Sequence, residues 1–323
     1  MSSQGGGISA LTVAELAKHI AAKTVSPVDV TEAYLQRIEA TEEDLNAFIT
    51  LTADQALAKA KQAEIEIGKG GYRGPLHGIP FATKDLFWTK GVRTTSGSES
   101  ALEFVPEEDA TAVRRLQDAG AISIGKTNMA EWAFDATGRN EFFGWAYNPW
   151  DKERMPGGSS SGSAVAVAAG GAPLAIGTDT AGSIRIPAAL CGLSGLKPTY
   201  GLVSRHGVTP LSLSLDHVGP LAHTVEDVAL AMDALAGRDA SDPYSKESQS
   251  AIFTESLTAG IQGLRIGLPY GLAPHMADPD VRDAFVKALA ILEELGARVE
   301  EVALPELELA PPAASVITRV EAA

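Results

Sequence analysis

Stretches of helical spacing alternate along this chain with short apolar runs. Thr12-Val-Ala-Glu15 has the spacing of a capping box ahead of Leu16 and Ile20, and Ser26-Pro27 supplies a cap and a first-turn proline ahead of Val30, Tyr34, Leu35 and Ile38, so two N-terminal helices are predicted. Asp54 to Ile67, rich in Ala, Lys and Glu, predicts a third, solvent-faced helix that Gly68 to Gly74 breaks. Ile79–Thr83, Ile122–Ile124 and Leu174–Ile176 then read as strands, and 111–119, 128–134, 163–169 and 224–236 as helices. Towards the end, 264–268, 281–295 and 299–303 repeat strand, helix, strand. This alternation predicts an α/β fold with a central sheet.

No internal repeat is visible. A flexible tail is expected over residues 1–9 and a single domain over 10–323, with its core at 70–236 and a peripheral strand-helix-strand region at 251–323. The polar, aperiodic stretch 237–250 reads either as an internal boundary or as one surface loop. At 45% hydrophobic and 21% charged residues, the 323-residue chain has the composition of a folded globular protein, neither disordered nor fibrous. Acidic side chains outnumber basic ones 41 to 26, a net charge of −15 with no basic run, which argues against a nucleic-acid partner.

The lone Cys191 sits in an apolar setting, has no intrachain partner and reads as a buried structural thiol that suits a reducing cytoplasm. Its start lacks the basic and apolar regions of a signal peptide. The weakly apolar run 164–177 is broken by Gly170, Gly171 and Pro173 and is too short to span a bilayer, so no membrane association is expected. No HExxH, Cys/His cluster or Walker-type loop occurs, and neither a metal nor a cofactor is expected.

Two serine clusters mark the chemistry. Gly157-Gly-Ser-Ser-Ser-Gly-Ser163 and Gly177-Thr-Asp-Thr-Ala-Gly-Ser-Ile-Arg185 place Ser159 and Ser183 24 positions apart, and Gly78-Ile-Pro-Phe-Ala-Thr-Lys84 ends 75 positions before Ser159. None of the six histidines is spaced to serve a Ser-Asp pair. A lysine can act as base in place of histidine only when it is neutral, which requires burial to bring its pKa from about 10.4 towards 7–8. Lys84 closes an apolar strand, so its amine would emerge at the edge of the sheet where open α/β folds bind ligands, while the adjacent Asp85 would point to the other face. Gly158-Ser-Ser-Ser-Gly162 also satisfies the G-x-S-x-G pattern, but no strand precedes it, so a nucleophile elbow is excluded.

Together these segments resemble the amidase signature family of hydrolases, over about residues 11–303 and most specifically between 78 and 201. The resemblance implies a central mixed β-sheet with helices on both faces. It makes Ser183 the nucleophile that forms an acyl-enzyme, Ser159 the proton relay across a cis Gly158–Ser159 peptide, and Lys84 the terminal base. Thr180, Ala181 and Gly182 would offer their N–H groups to the carbonyl oxygen, and Asp179, Arg185 and Ser160 would brace the loop. Many family members have Gly where this chain has Ala181, a residue that would be strained if the position needed a positive φ. For Asp179 and Arg185 an ordinary structural ion pair is the competing reading.

Trp132, Phe134, Phe142 and Phe143 crowd ahead of the first cluster and are expected to line an acyl pocket for a small-molecule amide, ester or carbamate; Trp88 is a further candidate. The expected activity is hydrolysis of a carboxylic amide without a cofactor, in a form compatible with a homodimer. Two alternatives stand beside it: the amidase subunit of a tRNA-dependent amidotransferase, disfavoured by the wording of 212–220, and a non-catalytic binding fragment. The second alternative follows from family members' greater length beyond the equivalent of Ala303, which predicts a shortened chain and an incomplete sheet edge.

Overall fold

The computed structural model describes residues 7–247, 252–269 and 278–323, so Met1–Gly6 of the expected tail and 248–250 of the expected loop lie outside the described residues. Ile8–Ala10 forms a 3-10 turn at the tail's end. The chain gathers into two compact units, Met1–Thr254 with Val320–Ala323, and Glu255–Arg319.

In the larger unit, the two N-terminal helices start where the caps placed them. α1 (Val13–Ala21) opens on a reciprocal Thr12/Glu15 box, and α2 (Pro27–Leu45) on Ser26 paired with Asp29, with Pro27 in the first turn. α3 (Ala53–Gly68) is less solvent-faced than expected, because Ala56, Ala60, Ala63 and Ile67 turn a buried stripe inward.

Six strands form one mixed sheet: β1 (Phe48–Leu51), β2 (Pro80–Lys84), β3 (Ile122–Thr127), β4 (Leu174–Asp179), β5 (Ser194–Gly195) and β6 (His217–Ala222), in the order β1-β3-β2-β4-β6-β5. β2 runs parallel to both β3 and β4, whereas β1, β6 and β5 pair antiparallel with their neighbours. Successive side chains of a strand turn to opposite faces, and two cores follow. Phe81, Leu174 and Ile176 join a cluster with α1, α4 (Thr111–Asp118) and α7 (Val225–Leu235), while Ala82 and Ala175 join another with α5 (Ser161–Ala168) and α6 (Arg185–Cys191). Cys191 belongs to the second cluster, and its burial pushes the thiol up to about 12.

One expected element fails. Residues 128–134 form only a 3-10 turn, Glu131–Ala133, in which Trp132 takes φ 50° and Ala133 φ 61°. Competing hydrogen bonds explain it: Asn128 spends its side chain on Met129 N–H, Asn46 C=O and Gly144 C=O, and Trp132 N–H goes to Ser96 C=O at 2.9 Å.

The smaller unit contains β7 (Arg265–Pro269) parallel to β8 (Arg298–Val302), joined through α8 (Pro279–Glu294), which is the strand-helix-strand the pattern predicts. α9 (Ala310–Glu321) follows. Among the described residues no helix is long and apolar enough to cross a membrane.

Candidate active site

Parallel pairing of β2 with β4 brings two strand ends together at one edge of the sheet. Lys84 is the last residue of β2, and Thr178 and Asp179 are the last of β4. The Lys84 side chain is fully buried; its Nζ donates to Ser159 Oγ at 2.7 Å and to Thr178 Oγ1 at 2.8 Å. Burial lowers the amine from 10.5 to about 7, against the upward pull of the Asp216 and Asp179 carboxylates, so a large neutral fraction exists at neutral pH.

Ser159 sits just ahead of α5, on a cis Gly158–Ser159 peptide. Main-chain bonds fix this turn: Gly158 N–H donates to Ala136 C=O at 2.8 Å and Ala130 N–H to Ser159 C=O at 3.2 Å. The chain at 135–138 passes so close that a Cβ on Gly158 would meet Gly138 N at 2.6 Å. Ser160 is buried beside it and donates to Thr178 C=O at 3.2 Å, while its N–H reaches Ser183 C=O at 3.2 Å. Backbone thus docks the 180–185 loop on the serine cluster. Among the described residues no hydrogen bond joins the half-buried Ser183 hydroxyl to Ser159.

Asp179 organises the loop. Its carboxylate takes Arg185 in bidentate fashion, at 3.0 Å from Nε and 2.9 Å from Nη2, and accepts N–H bonds from Gly182, Ile184 and Arg185 at 2.8, 3.2 and 3.3 Å. Burial alone would raise this acid, yet the Arg185 bonds and charge and these N–H donors hold it below its ordinary value. The ion pair and the loop brace are therefore one device.

The same bonds revise the expected oxyanion donors. Gly182 N–H is already committed to Asp179, whereas among the described residues the N–H groups of Thr180, Ala181 and Ser183 have no acceptor. The conformational demand also falls one residue later than expected: Gly182, not Ala181, takes the positive φ, at 133°, where a Cβ would meet Ile186 Cδ1 at 2.6 Å.

A cleft of about 290 Å³ opens beside Thr178, lined in part by Trp88, Arg205, His206, Asp216, His217 and Tyr244. Trp88 lines this cleft, whereas Trp132, Phe134, Phe142 and Phe143 do not. Trp132, Phe134 and Phe142 are exposed, and Phe142 packs edge-on against Phe143 at 4.8 Å. The left-handed turn at Trp132–Ala133 redirects the segment that was expected to be helical.

Three features carried no sequence signal strong enough to be read. Thr178 lies one position before the singled-out Asp179, Asp216 lies in a loop of Ser and Leu, and a second buried lysine, Lys126, sits on β3 3.6 Å from Asp85. Among the described residues no group of His, Cys, Asp and Glu is arranged to hold a metal ion.

Fold and site belong together at one end of the central sheet, and comparison with known proteins places the scaffold. The family model described as Amidase matches residues 29–323, and the chain belongs to that family. It is 46% identical over 310 residues to the A subunit of the glutamyl-tRNA(Gln) amidotransferase of Coxiella burnetii, an alignment covering 96% of this chain and 64% of the relative. Among solved structures, it is similar to one described as a vestigial protein complex revealing the evolutionary origins of an s-triazine catabolic enzyme, with TM-score 0.93, 42% identity and coverage of 97% and 68%. The native peptide amidase of Stenotrophomonas maltophilia gives TM-score 0.89, 40% identity and coverage of 96% and 66%. The chain thus spans just under two thirds of the length of its amidotransferase relatives.

Proposed function

We propose that this chain is an amidohydrolase that cleaves a small carboxylic amide through an acyl-enzyme on Ser183. The observation that carries the reading is the fully buried Lys84 amine, titrating near neutrality and hydrogen-bonded to Ser159 at 2.7 Å. In this scheme Ser183 Oγ attacks the carbonyl carbon while its proton passes to Ser159 and the Ser159 proton passes to Lys84 Nζ. The oxyanion is met by loop N–H groups, of which Thr180, Ala181 and Ser183 carry the free hydrogens. Collapse breaks the C–N bond, the amine leaves with the proton returned along the same path, and water then repeats the sequence on the acyl ester. In this scheme a Ser183-to-Ser159 hydroxyl hydrogen bond forms when substrate binds, as catalytic hydrogen bonds are commonly made in the complex.

Support comes from the peptide amidase likeness and from a cleft whose walls suit a small amide. A serine-directed fluorophosphonate, followed by mass analysis, tests it. Modification should fall on Ser183 and vanish in Ser183→Ala; an unmodified wild-type chain, or equal modification of both, overturns the reading.

A second reading is favoured by the 46% identity to the amidotransferase of Coxiella burnetii. Under it, the same serine would release ammonia from an amide donor within a larger assembly. Glutaminase activity that emerges only with partner proteins would select it over a stand-alone hydrolase.

A further inference from the structure

Asp216 enters the site from the loop ahead of β6, and its carboxylate is almost completely enclosed. One oxygen, Oδ2, accepts the N–H groups of Leu211 at 2.8 Å and Ser212 at 3.0 Å. The other, Oδ1, accepts the hydroxyl of Thr180. The next residue, His217, pairs with Asp179 in the antiparallel β4–β6 ladder, so the main chain on this side is fixed by the sheet. The loop Thr180–Ser183 is therefore gripped at both ends: Asp179 takes Gly182 and Arg185, and Asp216 takes Thr180. Hydroxyl-to-carboxylate bonds are charge-assisted and roughly twice as strong as neutral ones, which suits a clamp on a short loop.

We propose that Asp216 is a positioning residue that holds the Thr180 end of the nucleophile loop through the Thr180 hydroxyl, so that the free N–H groups of Thr180 and Ala181 and the Ser183 hydroxyl stay in register with the Lys84–Ser159 pair. The inference rests on the hydrolase reading above. Without the clamp, Thr180 would be tied only through its main-chain neighbours, and a displacement of about 1 Å at an oxyanion loop can lower a rate by on the order of 10²-fold.

Asp216 also acts on Lys84 at a distance. Around the Lys84 amine stand the Ser159 and Thr178 hydroxyls and two carboxylates, Asp179 from β4 and Asp216 from the 212–216 loop, whose charges favour the protonated amine. The cleft beside them adds Arg205, His206, His217 and Asp242. Lys197 Nζ lies 3.3 Å from His217 Nε2, and burial followed by that lysine keeps His217 below its ordinary value. Removing the Asp216 charge thus leaves only Asp179 to stabilise Lys84 in its charged form, and the amine should lose its proton at lower pH.

The test follows the rate of fluorophosphonate modification of Ser183 against pH. Wild type should rise to a plateau with a midpoint at about pH 7. Asp216→Asn should lower the plateau and move the midpoint down; Thr180→Val, which keeps the carboxylate, should lower the plateau by on the order of 10- to 100-fold with the midpoint unmoved. Thr180→Ser should restore it. Wild-type plateaus and midpoints in both Asp216→Asn and Thr180→Val would overturn the proposal while leaving the hydrolase reading intact; a wild-type chain that never labels at Ser183 removes that reading and this inference with it. Should Asp216→Asn fail to fold, the valine and serine variants decide alone, since a wild-type plateau for Thr180→Val sinks the clamp.

Discussion

Two lysines lie fully buried on adjacent parallel strands, one residue out of step: Lys126 of β3 pairs in register with Thr83, and Lys84 with Thr127. Burial lowers both amines, Lys84 to about 7 and Lys126 to about 8. Their partners differ. Lys126 donates to Phe87 C=O and to Thr94 Oγ1 and stands 3.6 Å from the buried Asp85, a setting that keeps a cation in place. Among the described residues the Lys84 amine hydrogen-bonds only to hydroxyls, and its two carboxylates act from further off. Enclosure alone does not make a lysine a base; the proposed role of Lys84 also needs first partners that can both give and take a proton. Asp85 next to Lys84 heightens the contrast, because consecutive residues send one charge to the serines and the other to Thr95 and Lys126.

The sharpest way to break this comparison is to remove each amine in turn. Lys84→Met and Ser183→Ala should each lower amide hydrolysis by on the order of 10³-fold or more, since members of a catalytic unit fail together. Lys84→Met should nonetheless fold and melt at a higher temperature near pH 7, because holding a lysine neutral well below its unfolded pKa costs on the order of a few kcal/mol. A Lys84→Met variant that hydrolyses like wild type would place the base elsewhere. The sign of the pH effect follows from linkage: between about 7 and 10.5 the unfolded chain carries the Lys84 proton and the folded chain does not, so this group makes stability rise with pH through that window. Denaturant titrations of wild type and Lys84→Met at pH 7 and 9 should show that added slope only in wild type.

Lys126→Met should behave in the opposite sense. It strands Asp85, whose Oδ1 has Lys126 as its facing cation and no hydrogen bond, and removal of one partner of a buried pair costs about 3–5 kcal/mol. Its activity should fall only as far as its folded fraction falls. Restoring stability with Asp85→Asn in the Lys126→Met background, without a change in kcat, would confirm a structural cation; loss of kcat in a fully folded Lys126→Met chain would contradict it.

How much of this could be read from the sequence follows from the kind of interaction involved. Lys84, Ser159 and Ser183 could be singled out because their three segments together resemble one family's pattern, whereas a Gly/Ser run alone reads as readily as a linker. Helices α1 and α2 were legible because caps act locally. Lys126 was not, since Ser123-Ile-Gly-Lys126 gives no hint that Asp85 waits across the strand. Strand β6 carries Gly219 and Pro220, residues that weaken a strand pattern, yet they pair with Gly177 and Ile176 of β4. The helix expected at 128–134 failed for the same reason in reverse: its local pattern was sound, and partners as distant as Asn46 and Ser96 outbid it. Thr178 and Asp216 likewise matter through contacts that only the folded sheet makes.

The loop joining Asp179 to Ser183 offers a finer cut. Gly182→Ala places a methyl group in a positive-φ position and against Ile186, so the loop must shift. Hydrolysis should drop by on the order of 10²-fold, with the melting temperature changed by only a few degrees. Retained activity would mean that the loop's N–H groups are not placed by this backbone.

The smallest effect belongs to Arg185→Lys. The guanidinium grips both oxygens of Asp179, but its side chain is about half exposed, and Asp179 keeps three main-chain donors without it. A lysine retains the charge and loses the fork, so the loop keeps most of its bonds and gives up its planar constraint. Hydrolysis should fall by about tenfold or less with the Lys84 midpoint unmoved, because Arg185 is not among the groups that set that amine's protonation. A pH–rate profile that shifts with this substitution would show that the Asp179 charge reaches Lys84 only when Arg185 holds its geometry, and the two lysines would then differ less by their nearest partners than by the carboxylates behind them.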